Sequence, residues 1–416
     1  LKVPARRLLL ALLALLLAAL ACGEGPAPTS TVSPAQDIAT CLYYYGDELA
    51  GSTAEQSAAV AAQYDLLILT ERNSNPAVIA RIKAHNPAAA VILYTNATQL
   101  ANPHNEIVAA NDIYPAMQQM FHWVEANHPD WFLRDTKVAL TYAAHPYLEN
   151  EYYREFWPYL DMFVFMDPTT GWRDYYAAQS AAQVGDLYDG LYSDVAMTYE
   201  EVRETVNALD WAHDPGEEGW NLAMVEMLNA THDAIGRGRF TMHNNGYNAW
   251  LAADAYDGRL LEWWVQLDMD EPLGGDTWRL YLDSAQETVE MGKALCVAQY
   301  GTTAQHRLYG LASFLLIAGK DSYYFFDEGG VDTGSYLAWH SEYDAPIGRP
   351  LGGYYVSGDV YRRDFENATI LVNPADTSVA VALDEVHTTL DGAEARRIEL
   401  GPRSGTILLH GPPPHF

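Results

Sequence analysis

Two carboxylates in this sequence stand where acid–base chemistry could be done. In Tyr188-Asp189-Gly190-Leu191-Tyr192-Ser193-Asp194 an apolar run closes on an acid, and strand alternation puts Tyr192 and Asp194 on one face. In Asp257-Gly258-Arg259-Leu260-Leu261-Glu262-Trp263-Trp264 the acid is Glu262, which alternation groups with Leu260 and Trp264. A carboxylate within an apolar strand costs free energy unless it is paired or useful. The flanking tryptophans supply a low-dielectric wall of the kind that raises a carboxyl pKa toward that of a general acid. Two acids carried on alternate strands of a sheet suit glycoside hydrolysis. Carboxyl groups about 5–5.5 Å apart give retention of anomeric configuration, and about 6.5–9.5 Å inversion. The sequence leaves that choice open, and for each acid a structural role is the alternative.

Other chemistries find less support. There is no GxSxG, no HExxH, no glycine–lysine phosphate loop and no CxxC pair. Asp268-Met269-Asp270-Glu271, followed by Gly274-Gly275-Asp276, is not spaced as an EF-hand loop, and the thirteen histidines are scattered. Neither a metal centre nor a cofactor is expected. The balance of 24 basic against 55 acidic residues, a formal net charge of −31, repels phosphate backbones and argues against a nucleic-acid partner.

The elements that must position the two acids follow from periodicity. Strands are expected at Ile38–Tyr45, Asp65–Thr70, Ala90–Thr95, Met162–Met166, Gly190–Asp194, Arg239–His243, Arg259–Val265, Ala294–Tyr300 and Ser322–Phe326. Most are continuous apolar runs, as in parallel sheets covered on both faces. Helices lie between them. Ser52-Thr53-Ala54-Glu55 has the spacing of a capping box, Asn75-Pro76 reads as a cap before a first-turn proline, and Met224, Leu228 and Ile235 form a helical stripe. Strand–helix alternation over residues 38–345 predicts an α/β fold, a (β/α)8 TIM-type barrel. A doubly wound open sheet is the competitor, but no glycine-rich dinucleotide fingerprint follows the first strand. From residue 346 to 416 short strands separated by turns such as Asn373-Pro374 and Asp391-Gly392 predict a small C-terminal antiparallel β domain.

The N-terminal segment addresses the chain. Lys2, Arg6 and Arg7 precede an uncharged apolar run from Leu8 to Ala21, short for a membrane span and suited to a signal peptide over residues 1–21. Ala19-Leu20-Ala21-Cys22 resembles a bacterial lipobox, which implies lipidation of Cys22, a membrane anchor and an exported or cell-envelope location. Residues 22–37 read as a flexible tether. The remaining cysteines, Cys41 and Cys296, sit in strand-like runs; they could pair, but packing as small apolar side chains is the preferred expectation.

His128-Pro129-Asp130-Trp131-Phe132-Leu133-Arg134-Asp135 resembles the signature of glycoside hydrolases of the GHL15-type barrel families, related to polygalactosaminidase-like barrels. Phe165-Met166-Asp167-Pro168, Trp172-Arg173-Asp174-Tyr175 and the Asp189–Asp194 run follow in the order of that signature, and Asn367 to Pro374 resembles the strand opening the family's C-terminal β domain. After Asp135 the chain departs from the pattern, with Thr136-Lys137-Val138-Ala139 in place of a glycine-centred turn. The resemblance implies a carbohydrate-active barrel in which Asp194 is nucleophile or base and Glu262 the proton donor. It makes Tyr44, Glu71, Asn96, Asp167, Asn244, Gln299 and Asp327 candidates for contacts to substrate hydroxyls or amines. Trp263, Trp264 and Trp339 are candidates for stacking on sugar faces, with core packing as the alternative. The expected substrate is an extracellular or envelope polysaccharide or oligosaccharide. The competing function is a non-catalytic glycan-binding or scaffold lipoprotein on a barrel without chemistry, in which one acid would be buried against an arginine.

Overall fold

The computed structural model describes residues 38–44, 46, 48–49, 51–111, 114–133, 163–205, 214–236, 238–244, 256–328 and 337–411. The proposed signal segment, Cys22, the tether and the Arg134-Asp135 end of the signature lie outside the described residues.

Short runs rich in Leu, Ile, Val and Tyr make the strands, and nearly all their residues are buried, as expected of strands covered on both faces. In chain order these are β1 (Cys41–Tyr44), β2 (Leu66–Leu69), β3 (Ala90–Asn96), β4 (Gln99–Ala101), β5 (Phe163–Phe165), β6 (Gly190–Asp194), β7 (Phe240–Asn244), β8 (Gly258–Leu261), β9 (Gln266–Asp268), β10 (Glu271–Pro272), β11 (Ala294–Tyr300) and β12 (Ser322–Asp327). Eight of them hydrogen-bond in the order β1-β2-β3-β6-β7-β8-β11-β12, with every pairing parallel. Thr40 bridges Tyr324, and Tyr324 N donates to Ala39 O at 3.1 Å, which brings the last strand back to the first and nearly closes a barrel. The run at Met162–Met166, expected in the alternating series, instead supplies β5, which pairs antiparallel with β4 outside the barrel. An apolar run declares a strand but not the partner it will find.

Helices cover the outside. Asn75 caps the helix Pro76–His85, its side chain accepting from Ala77 N at 3.1 Å and Val78 N at 3.2 Å. The expected capping box does not form: Thr53 stands before the helix Ala54–Ala61 without a side-chain cap, and Glu55 turns outward to His85. Met224, Leu228 and Ile235 form the buried stripe of the helix Gly216–Ile235. Gly190 is required by close approach, since a Cβ there would lie 1.9 Å from Phe240 O on the neighbouring strand.

Register fixes which side chains face the barrel interior. The cross-strand partners Tyr43–Ile68–Ile92–Gly190 and Tyr94–Tyr192–Met242–Gly258 share one face, and Asn96–Asp194 and Asn244–Leu260–Cys296–Tyr323 continue it. Cys41 and Cys296 both belong to that face, and they form a disulfide with Cα atoms 6.5 Å apart. Packing as free thiols is therefore corrected: each run is a strand, but the barrel brings two inward cysteines together across 255 residues of sequence. A bond closing so long a loop stabilises chiefly by restricting the unfolded chain. Replacing both cysteines by serine should cost about 2–5 kcal/mol, read as a lower denaturation midpoint with a steeper slope, since the uncrosslinked unfolded chain exposes more surface; an unchanged midpoint would show that the bond contributes nothing.

After the barrel come β13 (Tyr355–Ser357), β14 (Val360–Asp364), β15 (Ala368–Asn373), β16 (Val379–Thr389), β17 (Glu394–Leu400) and β18 (Ser404–His410). They form one antiparallel sheet in the order β13-β14-β15-β18-β16-β17. The helix Ala304–Ile317 lies between this sheet and the barrel, which explains why His306 and every residue from Tyr309 to Ile317 are buried. Arg363 Nη1 donates to the carbonyls of Leu315 and Ala318 at 2.9 Å each, satisfying the end of that helix. Among the described residues no helix is long and apolar enough to cross a membrane.

Candidate active site

The two acids meet. Asp194 ends β6 and Glu262 follows the last residue of β8, both at the C-terminal end of the barrel, where the functional groups of such folds gather. Asn244, ending the intervening β7, stands between them: its Nδ2 donates to Asp194 Oδ1 and to Glu262 Oε2, at 3.1 Å each. An amide nitrogen has two protons, one for each carboxylate, and the reverse orientation would point a carbonyl at two acceptors, so the network fixes the amide. The two protons of one amide nitrogen lie about 120° apart, which sets the nearest oxygens of the two acids about 5.4 Å from one another, nearer the about 5–5.5 Å of retaining pairs than the about 6.5–9.5 Å of inverting ones.

The chain turns sharply after each acid. Val195 and Trp263 have φ of 53° and 54°, in the left-handed region that non-glycine residues avoid, and Val195 N donates back to Asp194 Oδ1 at 2.8 Å. For β-branched Val195 this conformation is strained, and strain of this kind collects at functional sites.

The two acids differ in surroundings. Asp194 accepts from Tyr94 OH at 2.6 Å, Tyr43 OH at 3.3 Å and Tyr192 OH at 3.4 Å, in addition to Asn244 and Val195 N. Burial, and then the Asp194 charge, holds the Tyr192 phenol well above its ordinary value, so it remains a proton donor. Glu262 accepts from Tyr300 OH at 2.9 Å and from Asn244. Burial first, and the Asp194 charge second, pushes Glu262 well above the usual carboxylate range, against the lowering effect of its hydrogen bonds. Glu262 and Asn244 are half-buried, so solvent reaches this side of the pair among the described residues. No basic side chain pairs with either acid among the described residues, which is not the arrangement expected of a structural acid held by arginine.

The other anticipated residues divide. Asn96 pairs in register with Asp194 and is buried on the same face, and Asp327 pairs with Tyr300, which holds Glu262. Trp263 is half-buried beside Glu262, its ring 4.8 Å from that of Tyr300. Glu71 sits beyond the end of β2, where its Oε1 accepts from Ala116 N at 2.7 Å in the first turn of the helix Pro115–Asn127. Asp167 closes a turn, accepting from Thr169 N at 2.8 Å and Thr169 Oγ1 at 2.6 Å.

Four expectations are corrected. Tyr44 alternates with inward Tyr43 and faces away from the acids, its hydroxyl accepting from Glu48 N at 3.0 Å. Gln299 alternates with inward Tyr300, points at the helix Ala304–Ile317 and donates to His306 O at 2.9 Å; a Cβ on Gly310 would lie 1.9 Å from its Oε1. Trp264 is fully buried behind the barrel, Nε1 donating to Gly310 O at 2.9 Å, because left-handed Trp263 breaks the alternation. Trp339 packs edge-on against Tyr64 and Tyr343 at 5.2 and 5.1 Å, on the outer flank of β12 with Tyr324. The residues missed are Tyr43, Tyr94 and Tyr300. Tyrosines closing apolar runs were the available signal, and register was the missing one.

Comparison with known proteins adds the family. The family described as hypothetical glycosyl hydrolase family 15 (GHL15) matches residues 83–369, which include both acids. No curated protein sequence matches the chain. Among solved structures, the chain is similar to the trehalulose synthase MutB from Pseudomonas mesoacidophila MX-45, with 11% identity, a TM-score of 0.52, and coverage of 89% of this chain and 98% of that one. It is also similar to the glycoside hydrolase domain of PelA from Pseudomonas aeruginosa, with 12% identity, a TM-score of 0.44, and coverage of 70% and 95%.

Proposed function

This chain belongs to hypothetical glycosyl hydrolase family 15, a glycosidase family, and on that premise we propose that it cleaves a polysaccharide or oligosaccharide by a two-carboxylate, retaining mechanism. The observation that carries the reading is the Asn244 amide shared by Asp194 and Glu262, which holds the nearest oxygens of two acids of unequal environment at a spacing closer to the retaining than to the inverting arrangement. In the first step Asp194 attacks the anomeric carbon as Glu262 gives its proton to the departing glycosidic oxygen. In the second, Glu262, now a carboxylate, takes a proton from water, and the hydroxide formed displaces Asp194 from the glycosyl ester. The tyrosine hydroxyls around Asp194 hold its orientation, and Tyr300 holds that of Glu262. Trp263 offers the nearest aromatic face for a sugar ring.

An exported location is part of the proposal. Its supports are the charged-then-apolar N-terminal segment ending at Cys22 and the Cys41–Cys296 disulfide, since such bonds persist in oxidising compartments. The test is to incubate the full chain with a panel of envelope and extracellular glycans and follow reducing-end release. The first product anomer of any cleaved glycan should have the configuration of the substrate bond. An inverted first product overturns the mechanism, and tight glycan binding without release of ends makes the chain a binder instead.

A further inference from the structure

We propose that Glu385, His387 and His410 form a binding site for a divalent transition-metal ion of the zinc class on the C-terminal sheet. His387 on β16 and His410 on β18 are cross-strand partners, with ring centroids 5.1 Å apart. The pairing of β16 with β17 shifts register between Ala382 and His387, an irregularity that re-aims side chains, and Glu385 comes to the same place. One ligand atom from each of the three residues lies within 4.8 Å of the other two. A tetrahedral ion with bonds of ~2.1 Å needs ligand atoms ~3.4 Å apart, and the exposed Glu385 side chain is free to close the difference.

The hydrogen bonds around the two imidazoles point to an ion rather than to a structural pair. His387 Nδ1 lies 3.2 Å from Glu385 O, a carbonyl that can only accept, so Nδ1 carries the proton and Nε2 keeps a lone pair. His410 Nε2 lies 3.1 Å from Thr369 Oγ1, and that hydroxyl spends its own proton on Asp364 Oδ1 at 3.1 Å. His410 Nε2 is therefore the donor, and its Nδ1 keeps a lone pair. Both rings are thus held in the way metal-bound histidines are held, one nitrogen donating to a carbonyl or hydroxyl and the other left to coordinate.

Two imidazoles and one carboxylate suit zinc and its neighbours in the first transition row; calcium and magnesium prefer all-oxygen sets. His387 is buried, His410 half-buried and Glu385 exposed, so the remaining coordination positions face water. An ion there ties the end of β16 to that of β18. These residues are 25 positions apart at the extremes and form no sequence motif, and they lie on a different sheet from the two acids.

The full chain is stripped with a chelator, dialysed against zinc ions, and its metal content and melting temperature are measured. The wild type should retain one equivalent of zinc and melt at a higher temperature with zinc than without. Magnesium and calcium should not compete. Glu385→Gln, a change of an exposed side chain that leaves the fold intact, should weaken zinc binding at least about tenfold, and the His387→Ala, His410→Ala double variant should lose the bound equivalent and the thermal shift. A wild type that retains no zinc, or zinc retention equal in the wild type and both variants, overturns the site.

Discussion

Asp194→Asn should lower kcat on a cleaved glycan by about 10⁴–10⁶-fold, the loss seen when a nucleophile that acts as part of a unit is removed. The amide matches the carboxylate in shape and so keeps its place at the end of β6, but it is no nucleophile. The change also replaces an acceptor on which Tyr43, Tyr94, Tyr192, Asn244 and Val195 N converge. Hydroxyl protons rotate, so the tyrosines can adapt, and melting should move little; Asn244 cannot turn without losing its bond to Glu262. A second variant separates nucleophile from base. Asp194→Ala opens a space beside the anomeric carbon, where added azide can attack in place of the carboxylate. Recovery of a glycosyl azide of opposite configuration, from a chain whose wild type gives a product of retained configuration, identifies Asp194 as the nucleophile. Activity lost without any azide product makes it a base, and the retaining mechanism fails. Full activity in Asp194→Asn removes it from the chemistry.

How far the sequence could be read depended on whether position along a strand or phase around it was at stake. The strands themselves were legible, because continuous apolar runs of Leu, Ile and Val have few other fates between amphipathic helices. Asp194 and Glu262 were legible as candidates because an acid ending such a run is costly without a purpose, and the structure brings the two together on Asn244. Phase was not. Alternation tells which residues share a face, but only register with the neighbouring strand tells which face is inside. That one missing fact put Tyr44 in the place of Tyr43 and Gln299 in the place of Tyr300, each a neighbour of the residue that donates to one of the acids. Trp264 failed for another reason: periodicity assumes an extended chain, and Trp263 at φ 54° ends it. The Asn244 bridge and the Cys41–Cys296 bond depend on distances across the barrel that no local pattern encodes.

Glu262→Gln should separate the two steps and remove the alkaline limb of the pH profile. The general acid must carry a proton when the glycosidic bond breaks. In Glu262, burial and then the Asp194 charge keep that proton bound well above the ordinary glutamate value of about 4.3, so the group is still an acid near neutrality. In the wild type kcat/KM should therefore hold through the weakly acid range and fall as pH rises through the pKa of Glu262 in the folded chain. The same shift has a thermodynamic sign. A carboxyl whose folded pKa lies above its unfolded one contributes stability that is complete below the unfolded value and lost as pH rises through the folded value, so the melting temperature should decline progressively from the ordinary glutamate value up to the folded one and level off above it. Glutamine neither titrates nor donates a proton as an acid. Glu262→Gln should flatten both dependences and lower turnover of a natural glycan by about 10²–10⁴-fold. On a substrate whose aryl leaving group departs without protonation, the first step should survive and the glycosyl ester of Asp194 should accumulate, because no base remains to activate water. A variant that keeps the wild-type alkaline limb, or that loses equal activity on aryl and natural substrates, assigns the proton to another group. Asp194→Asn gives the independent check: with the neighbouring negative charge gone, the titration of Glu262, followed by isotope-edited infrared or NMR, should move down toward the ordinary carboxylate range while burial alone still holds it above.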